Sequence, residues 1–174
     1  MVFCYALCAI HYLILKYMVN YRIGLGFDVH RFSKKNKPLV LGAMKISRSF
    51  GLEAVSDGDV LLHAITDALC GACSLGDIGD YFPPSKKYEG IDSKEIAKFI
   101  LHKLGKKFKI ANIDITIVAE KPKLFPHKKD ILKSLKSIFR IRNINVKIKS
   151  KEGLNILGGK DAISCFAIAL VRRI

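Results

Sequence analysis

Arg22-Ile23-Gly24-Leu25-Gly26-Phe27-Asp28-Val29-His30 and Ser56-Asp57-Gly58-Asp59-Val60-Leu61-Leu62-His63-Ala64-Ile65-Thr66-Asp67 decide the architecture of this 174-residue chain. The first stretch alternates with a period of two and predicts a strand over Arg22 to Phe32. The second carries a helical period. Ser56 reads as its N-cap, with Asp59 three residues on in a capping-box-like arrangement, and the helix is expected to run to about Ser74. Working outward, Leu39 to Ile46 reads as the hairpin partner of the first strand, with residues 34–38 as the turn. A loop with Gly and Pro follows from Gly76 to Gly90. Asp92 or Ser93 caps a helix over Lys94 to Leu104, stopped by Gly105. Ile110 to Ala119 alternates as a strand, Pro126 opens a third helix ending near Phe139, and Asn143 to Lys149 is a further strand. A glycine-rich loop reaches Gly159, and Ile163 to Val171 is the closing strand. Strands interleaved with three helices predict an α+β two-layer sandwich: a mainly mixed sheet with helices on one face. No repeat or linker divides residues 21–174, which read as one domain.

Half of the residues are hydrophobic and 26% charged, with 13 Gly and 5 Pro. That composition excludes a disordered tail, a collagen-like repeat and a multi-span membrane protein. The net charge of +15 points to polyanionic partners (nucleic acid, anionic lipid or phosphorylated small molecules) or to solvated lysines of a biased composition. Residues 2–15 form an apolar run containing His11, shorter than the ~20 residues that span a bilayer. Residues 1–20 are therefore treated as a hydrophobic N-terminal extension or leader remnant outside the fold. Of the five cysteines, Cys70, Cys73 and Cys165 fall in the domain. Three cysteines make no disulfide framework. Cys70-Gly71-Ala72-Cys73 has the C-x-x-C spacing without a second pair, and small residues late in a helix serve close packing more often than redox or metal chemistry.

Acidic residues and histidines gather twice. Asp28 and His30 are two apart on a strand, so both project from one face. Asp59, His63 and Asp67 fall at i, i+4 and i+8 of the helix. Taken singly, His63 reads as a satisfied core histidine and Asp59 as a cap. Taken together, Asp28, His30 and His63 offer three zinc ligands with an open fourth position, the arrangement of catalytic zinc. Asp59 or Asp67 would then orient His63 from behind. Gly24-Leu25-Gly26 is a weak phosphate-loop signal, since no third glycine completes the motif. The glycines of Gly76-Asp77-Ile78-Gly79 would let backbone N–H groups approach an oxyanion or a sugar. Residues 121–126 lie between a strand end and a helix start, a place that favours anions. Lys149-Ser150-Lys151-Glu152 offers a hydroxyl, cations and a carboxylate. Each of these segments alone is more often an ordinary loop.

The combination of residues 22–30, Ser56-Asp57-Gly58-Asp59 with His63, Thr66-Asp67-Ala68-Leu69 and Gly76-Asp77-Ile78-Gly79 resembles the 2-C-methyl-D-erythritol 2,4-cyclodiphosphate synthase family of the non-mevalonate isoprenoid pathway. The resemblance covers residues 21–174. It implies a homotrimer with active sites between subunits and a zinc ion held by Asp28, His30 and His63. The implied substrate, 4-diphosphocytidyl-2-C-methyl-D-erythritol 2-phosphate, closes on itself as its 2-phosphate attacks the β-phosphorus and expels CMP. Glu152 would hold a second cation, Mg²⁺ or Mn²⁺, with Ser150 and Lys123 as further catalytic groups. Asp28, His30, Val55 and Ser56 are carried over as substrate-binding, as are Asp77, Ile78, Gly79 and Phe82 towards the ribose or erythritol. Ala119, Pro122, Lys123, Leu124 and Phe125 match the segment that reads cytosine, largely through backbone groups. Lys149, Ser150, Ile156 and Lys160 complete the set.

Two departures stand out. The family commonly carries a His before Ser-Asp-Gly-Asp, where this chain has Val55, which cannot donate to a phosphate. Near Gly159 an Arg is usual, and Lys160 replaces it without a bidentate fork. Ser150 stands where Thr is frequent and keeps the hydroxyl. Two other classes remain open: a basic nucleic-acid-binding domain using lysines at 86–87, 106–109, 121–129 and 147–151, and a trimer of this family weakened to ligand binding. The enzyme reading needs no nucleic acid and no membrane for the mature domain. A hydrophobic extension on such an enzyme suggests a plastid-type organelle, with a bacterial cytoplasm as the alternative.

Overall fold

The computed structural model describes residues 10–12 and 20–174, so most of the expected N-terminal extension lies outside the described residues. Among them, no helix is long and apolar enough to cross a membrane. The elements are β1 (Tyr21–Arg31), β2 (Pro38–Leu41), β3 (Met44–Phe50), α1 (Val60–Cys73), α2 (Ile78–Tyr81), α3 (Ser93–Leu104), β4 (Phe108–Ala119), α4 (Lys128–Phe139), β5 (Ile144–Lys149) and β6 (Ala162–Arg173). A four-stranded sheet runs in the order β1-β6-β4-β5. Its β1–β6 and β6–β4 pairs are antiparallel and β4–β5 is parallel, so the sheet is mixed as expected.

The hairpin expectation fails. Gly42 and Ala43 both take positive φ, 62° and 60°, and close β2 directly on β3 in a sheet of their own. Two successive residues in that region make the kind of turn that matches strand twist. This splits Leu39–Ile46, while β1 pairs along its length with β6, from Tyr21↔Arg172 to Arg31↔Ala162.

The cap of α1 also differs. It is Asp59, not Ser56, that accepts from the N–H groups of Leu61 and Leu62. The same buried carboxylate accepts from Gly42 N at 2.9 Å and Ala43 N at 2.7 Å. One side chain thus ties the β2–β3 turn to the start of α1. Burial outweighs these donors, and with the nearby Asp57 charge it pushes the carboxyl up to about 6. Asp92 caps α3, and Gly105 ends it at positive φ.

Helix α1 is apolar on nearly all sides and buried between the sheet and α3, as an all-round hydrophobic helix must be. Its approach to β1 depends on two glycines. A Cβ on Gly24 would lie 2.0 Å from Ala68 O, and one on Gly26 1.9 Å from Ala64 O. Gly24-Leu25-Gly26 therefore serves helix–strand contact, and the phosphate-loop reading is corrected. Cys70, Cys73 and Cys165 are free and buried. Burial pushes Cys70 up to about 12 and Cys73 up to about 11. Neither is a thiolate near neutral pH, which favours the packing role.

Gly26→Ala should force α1 away from β1 because the clash is with backbone, not with a side chain that can turn aside. Overpacking of this kind costs about 3 kcal/mol, or roughly 6–12 °C in Tm for a domain of this size. Thermal unfolding followed by circular dichroism checks this, and an unchanged Tm would contradict the contact.

Candidate metal centre and functional site

In β1, the side chains of Asp28 and His30 share the face occupied by Gly24 and Gly26, the face on which α1 lies. The glycines clear the strand for the helix, and the next two same-face positions are left to meet its first turn. There His63 descends from α1. Its Nδ1 is 2.8 Å from Asp28 Oδ2, and His30 Nε2 is 3.0 Å from the same oxygen. The two imidazoles meet edge-on, with centroids 5.6 Å apart. Among the described residues this trio is the one group of three or more Asp, Glu, His or Cys side chains whose donor atoms converge, all within 4.8 Å.

His30 Nε2 distinguishes this trio from an ordinary hydrogen-bonded core cluster. It is buried and has no hydrogen-bond partner, because the nearby Asp28 oxygen is close but out of line. A buried polar atom without a partner is costly. Two imidazole nitrogens and one carboxylate oxygen within 4.8 Å of one another match in kind and number the three protein ligands of a catalytic divalent-metal site. The charges agree. Burial alone would raise Asp28, but the neighbouring imidazoles of His30 and His63 hold it at about 2. His63 is driven down by burial, yet Asp28, with Asp59 and Asp57 farther off, raises it overall. The carboxylate is thus ionised and ready to ligate throughout the neutral range.

The groups behind His63 differ from expectation. Asp59 is committed to the backbone, and Asp67 accepts from Ile78 N at 2.9 Å. Neither hydrogen-bonds the ring. Instead, His63 Nε2 lies 2.9 Å from Ser93 Oγ and 3.2 Å from Ser56 Oγ, and Ser93 donates to Asp57. Ser93 reads from sequence only as the start of α3. Nothing in the spacing says that the α3 N-terminus reaches the α1 ring.

Val55 precedes the cap by four residues, not one, and its side chain is exposed. Its carbonyl accepts from Gly90 N at 2.7 Å. Asp77 caps α2 in a reciprocal capping box with Asp80. Since Ile78 N already has Asp67, the expected backbone cradle at 76–79 is partly occupied. Phe82 closes α2 and packs against Tyr88 and Phe99.

The remaining carried-over residues gather at the C-terminal ends of the parallel strands β4 and β5. Val118 is in register with Lys149, so Ala119 to Phe125 emerges beside Lys149 to Glu152. Lys121 joins Pro122 through a cis peptide. Leu124 is buried and Phe125 largely exposed. Ser150 donates to Glu152. Lys151, one of the cations of this segment, is 1% exposed. Its Nζ donates to Leu157 O, Gly159 O and Ala162 O at 2.8, 2.5 and 2.8 Å, pinning the loop that carries Ile156 and Lys160. Lys151 therefore cannot contact a nucleic-acid phosphate, and Lys147 is paired with Asp114 at 2.5 Å. The nucleic-acid reading loses two of its cations.

Asp28 and His30 sit at the same end of the sheet as this second group, since His30 pairs with Ile163 and Ile163 with Ala119. Three strand spacings separate β1 from β5, about 14 Å. Among the described residues, no hydrogen bond or ion pair joins the two groups within one chain.

A model of the YgbB family matches residues 21–172. A 2-C-methyl-D-erythritol 2,4-cyclodiphosphate synthase of Idiomarina loihiensis is 45% identical over 154 residues, covering 86% of this chain and 96% of that protein. The enzyme of the same name from Treponema denticola is 44% identical over 154 residues, covering 86% and 95%. Among solved structures, the Plasmodium falciparum IspF–CDP complex superposes with a TM-score of 0.76 at 33% identity, over 88% of this chain and 97% of that one. The bifunctional IspDF of Campylobacter jejuni reaches a TM-score of 0.83 at 35% identity, over 88% of this chain and 42% of the longer one.

If the three donors share one ion, the purified protein should carry about one divalent metal per chain. His63→Ala should lose most of it while its far-UV spectrum stays native, because the metal joins elements already packed through α1. Metal analysis after dialysis reads the outcome, and full occupancy in His63→Ala would contradict the site.

Proposed function

This chain belongs to the YgbB family, and from that we infer that it converts 4-diphosphocytidyl-2-C-methyl-D-erythritol 2-phosphate to 2-C-methyl-D-erythritol 2,4-cyclodiphosphate and CMP. The observation that carries the reading is the convergence of Asp28, His30 and His63, with the unpartnered His30 Nε2 among them.

In the reaction, an oxygen of the 2-phosphate attacks the β-phosphorus, the bond from that phosphorus to the α-phosphate oxygen breaks, and CMP leaves with the oxygen. Such a transfer needs alignment and charge neutralisation more than covalent help. Asp28 Oδ2, His30 Nε2 and His63 Nδ1 would hold zinc, a borderline ion suited to mixed nitrogen and oxygen donors. Bound there, zinc polarises a phosphate oxygen and offsets its charge. Glu152 supplies a carboxylate for Mg²⁺ or Mn²⁺, both of which favour carboxylate and phosphate oxygens. Ser150, bonded to Glu152, and the exposed Lys123 stabilise charge on the transferring group. The backbone of residues 119–125 holds the cytosine. Folding the substrate so that its own phosphate is in line exploits proximity, an effect worth ~7–11 kcal/mol in favourable cases. Val55 offers no donor, so phosphate alignment rests on the metals, Lys123 and Lys160. These roles make the enzyme a metal-dependent, CMP-releasing lyase.

The chain acts as a homotrimer in this reading. Two features support it. The metal trio and the Ser150–Glu152 group lie on opposite edges of one sheet, too far apart to share a phosphate within a single chain. The outer face of β1 also presents Ile23, Leu25 and Phe27 to solvent at 69, 66 and 41%, with the Phe27 ring tilted against that of Phe166, centroids 4.7 Å apart. A contiguous apolar stripe of that kind is rare on a monomer and marks an interface. In this reading, copies packed along the stripe complete the site by joining the metal trio of one subunit to the Ser150–Glu152 group of the next.

Purified protein incubated with the diphosphocytidyl substrate and Mg²⁺ should release CMP and cyclic diphosphate in equal amounts; no CMP release would overturn the reading. Glu152→Gln should keep its zinc but lose about 10- to 100-fold in Mg²⁺-dependent turnover, the worth of one charge-assisted contact. Unchanged Mg²⁺ dependence would remove Glu152 from the site. Phe27→Asp, on the face opposite Asp28, should sediment as a monomer with its zinc retained and its turnover lost. A trimer in that variant would show that the stripe is not the interface.

A further inference from the structure

We propose that Ser93, held by Asp57, is a positioning residue that keeps the proton of His63 on Nε2 and so reserves Nδ1 for the metal. The inference deepens the metal reading of the trio and rests on it. Three elements meet at this ring: α1 supplies it, the loop before α1 supplies Asp57 and Ser56, and the start of α3 supplies Ser93. Ser93 is fully buried. Its Oγ lies 2.9 Å from His63 Nε2 and donates to Asp57 Oδ1, while its backbone N–H donates to Asp57 Oδ2 at 3.2 Å. A carboxylate can only accept, so the single hydroxyl proton of Ser93 is committed to Asp57. The lone pair facing His63 is what remains, and it can only receive a proton from Nε2. The other ring nitrogen, 2.8 Å from Asp28 Oδ2, then turns its lone pair to the point shared with His30 whenever an ion replaces its proton.

Asp57 is itself fixed. Its Oδ1 accepts from Asp59 N at 3.1 Å and its backbone N–H donates to Ile91 O at 3.0 Å. Ser56 Oγ is the farther neighbour at 3.2 Å, already accepts from Gly58 N at 3.1 Å, and has no carboxylate behind it. Metal-bound histidines generally donate their second N–H to an outer group, and losing that group weakens metal binding about 10- to 100-fold.

The test begins with the unaltered protein loaded with zinc, followed by ¹H–¹⁵N spectra of its histidine rings. The His63 Nε2–H proton should be visible, shifted downfield and slow to exchange with water, in contrast to exposed His102. Exchange as fast as that of His102 would overturn the proposal without any variant. Ser93→Ala should then lose this protected proton and release zinc to a competing chelator about 10- to 100-fold more readily, with a native far-UV spectrum. Ser93→Thr, which keeps the hydroxyl, should restore both. Wild-type zinc affinity with a protected proton in Ser93→Ala would overturn the role of Ser93, as would a larger loss in Ser56→Ala. An unaltered chain that binds no zinc at all would instead defeat the metal reading beneath it.

Discussion

The close approach of α1 to β1 is the constraint from which the rest follows. A helix normally stands off a sheet by the thickness of two side-chain layers. Here Gly24 and Gly26 remove one layer, so that backbone carbonyls of Ala64 and Ala68 occupy the space a Cβ would take. Small residues continue on the helix side with Ala64, Ala68 and Ala72. The dividend is positional: β1 continues two and four residues past Gly26 into Asp28 and His30, and α1 places His63 directly over them. A strand and a helix far apart in sequence thereby bring three donor side chains to one point without a dedicated loop.

Buried polar groups then fix what the apolar contact leaves free. Asp59 gathers four backbone N–H groups and locks the start of α1 to the β2–β3 turn. Lys151 does the converse, giving its protons to three carbonyls of the glycine-rich loop. Satisfied networks of this sort rigidify their surroundings because breaking any one bond strands the others in a low-dielectric interior. Both lie beside residues assigned to chemistry, one under the metal trio and the other next to Ser150 and Glu152. Rigid support of reacting groups suits a transfer whose rate depends on alignment.

Most of the element order was legible because period and punctuation are local signals. The β1 alternation, the α1 run and the Gly105 stop each lie within a few residues of what they determine. The errors came from partners remote in sequence. Leu39–Ile46 is the nearest strand-like neighbour of β1 in the chain, but the closing strand β6 offers β1 a full-length ladder. Ser56 looked like the better cap by residue type and spacing, yet Asp59 reaches both the helix and a turn 16 residues upstream, which Ser cannot do. The metal trio was readable from residue types and two spacings. Asp57 and Ser93 were not, since no period connects the α3 start to a ring on α1. The split of the site into two groups at opposite sheet edges follows from strand order, which only the folded chain reveals.

X-ray absorption at the zinc edge of the metal-loaded, unmodified protein tests most directly whether the helix–strand contact builds the metal centre. A first shell of nitrogen and oxygen at about 2.0–2.1 Å, with the outer-shell scattering of two imidazole rings, is the expected result. A sulfur shell at about 2.3 Å would place the ion on cysteine thiolates such as Cys70 and Cys73, and would contradict the assignment to Asp28, His30 and His63.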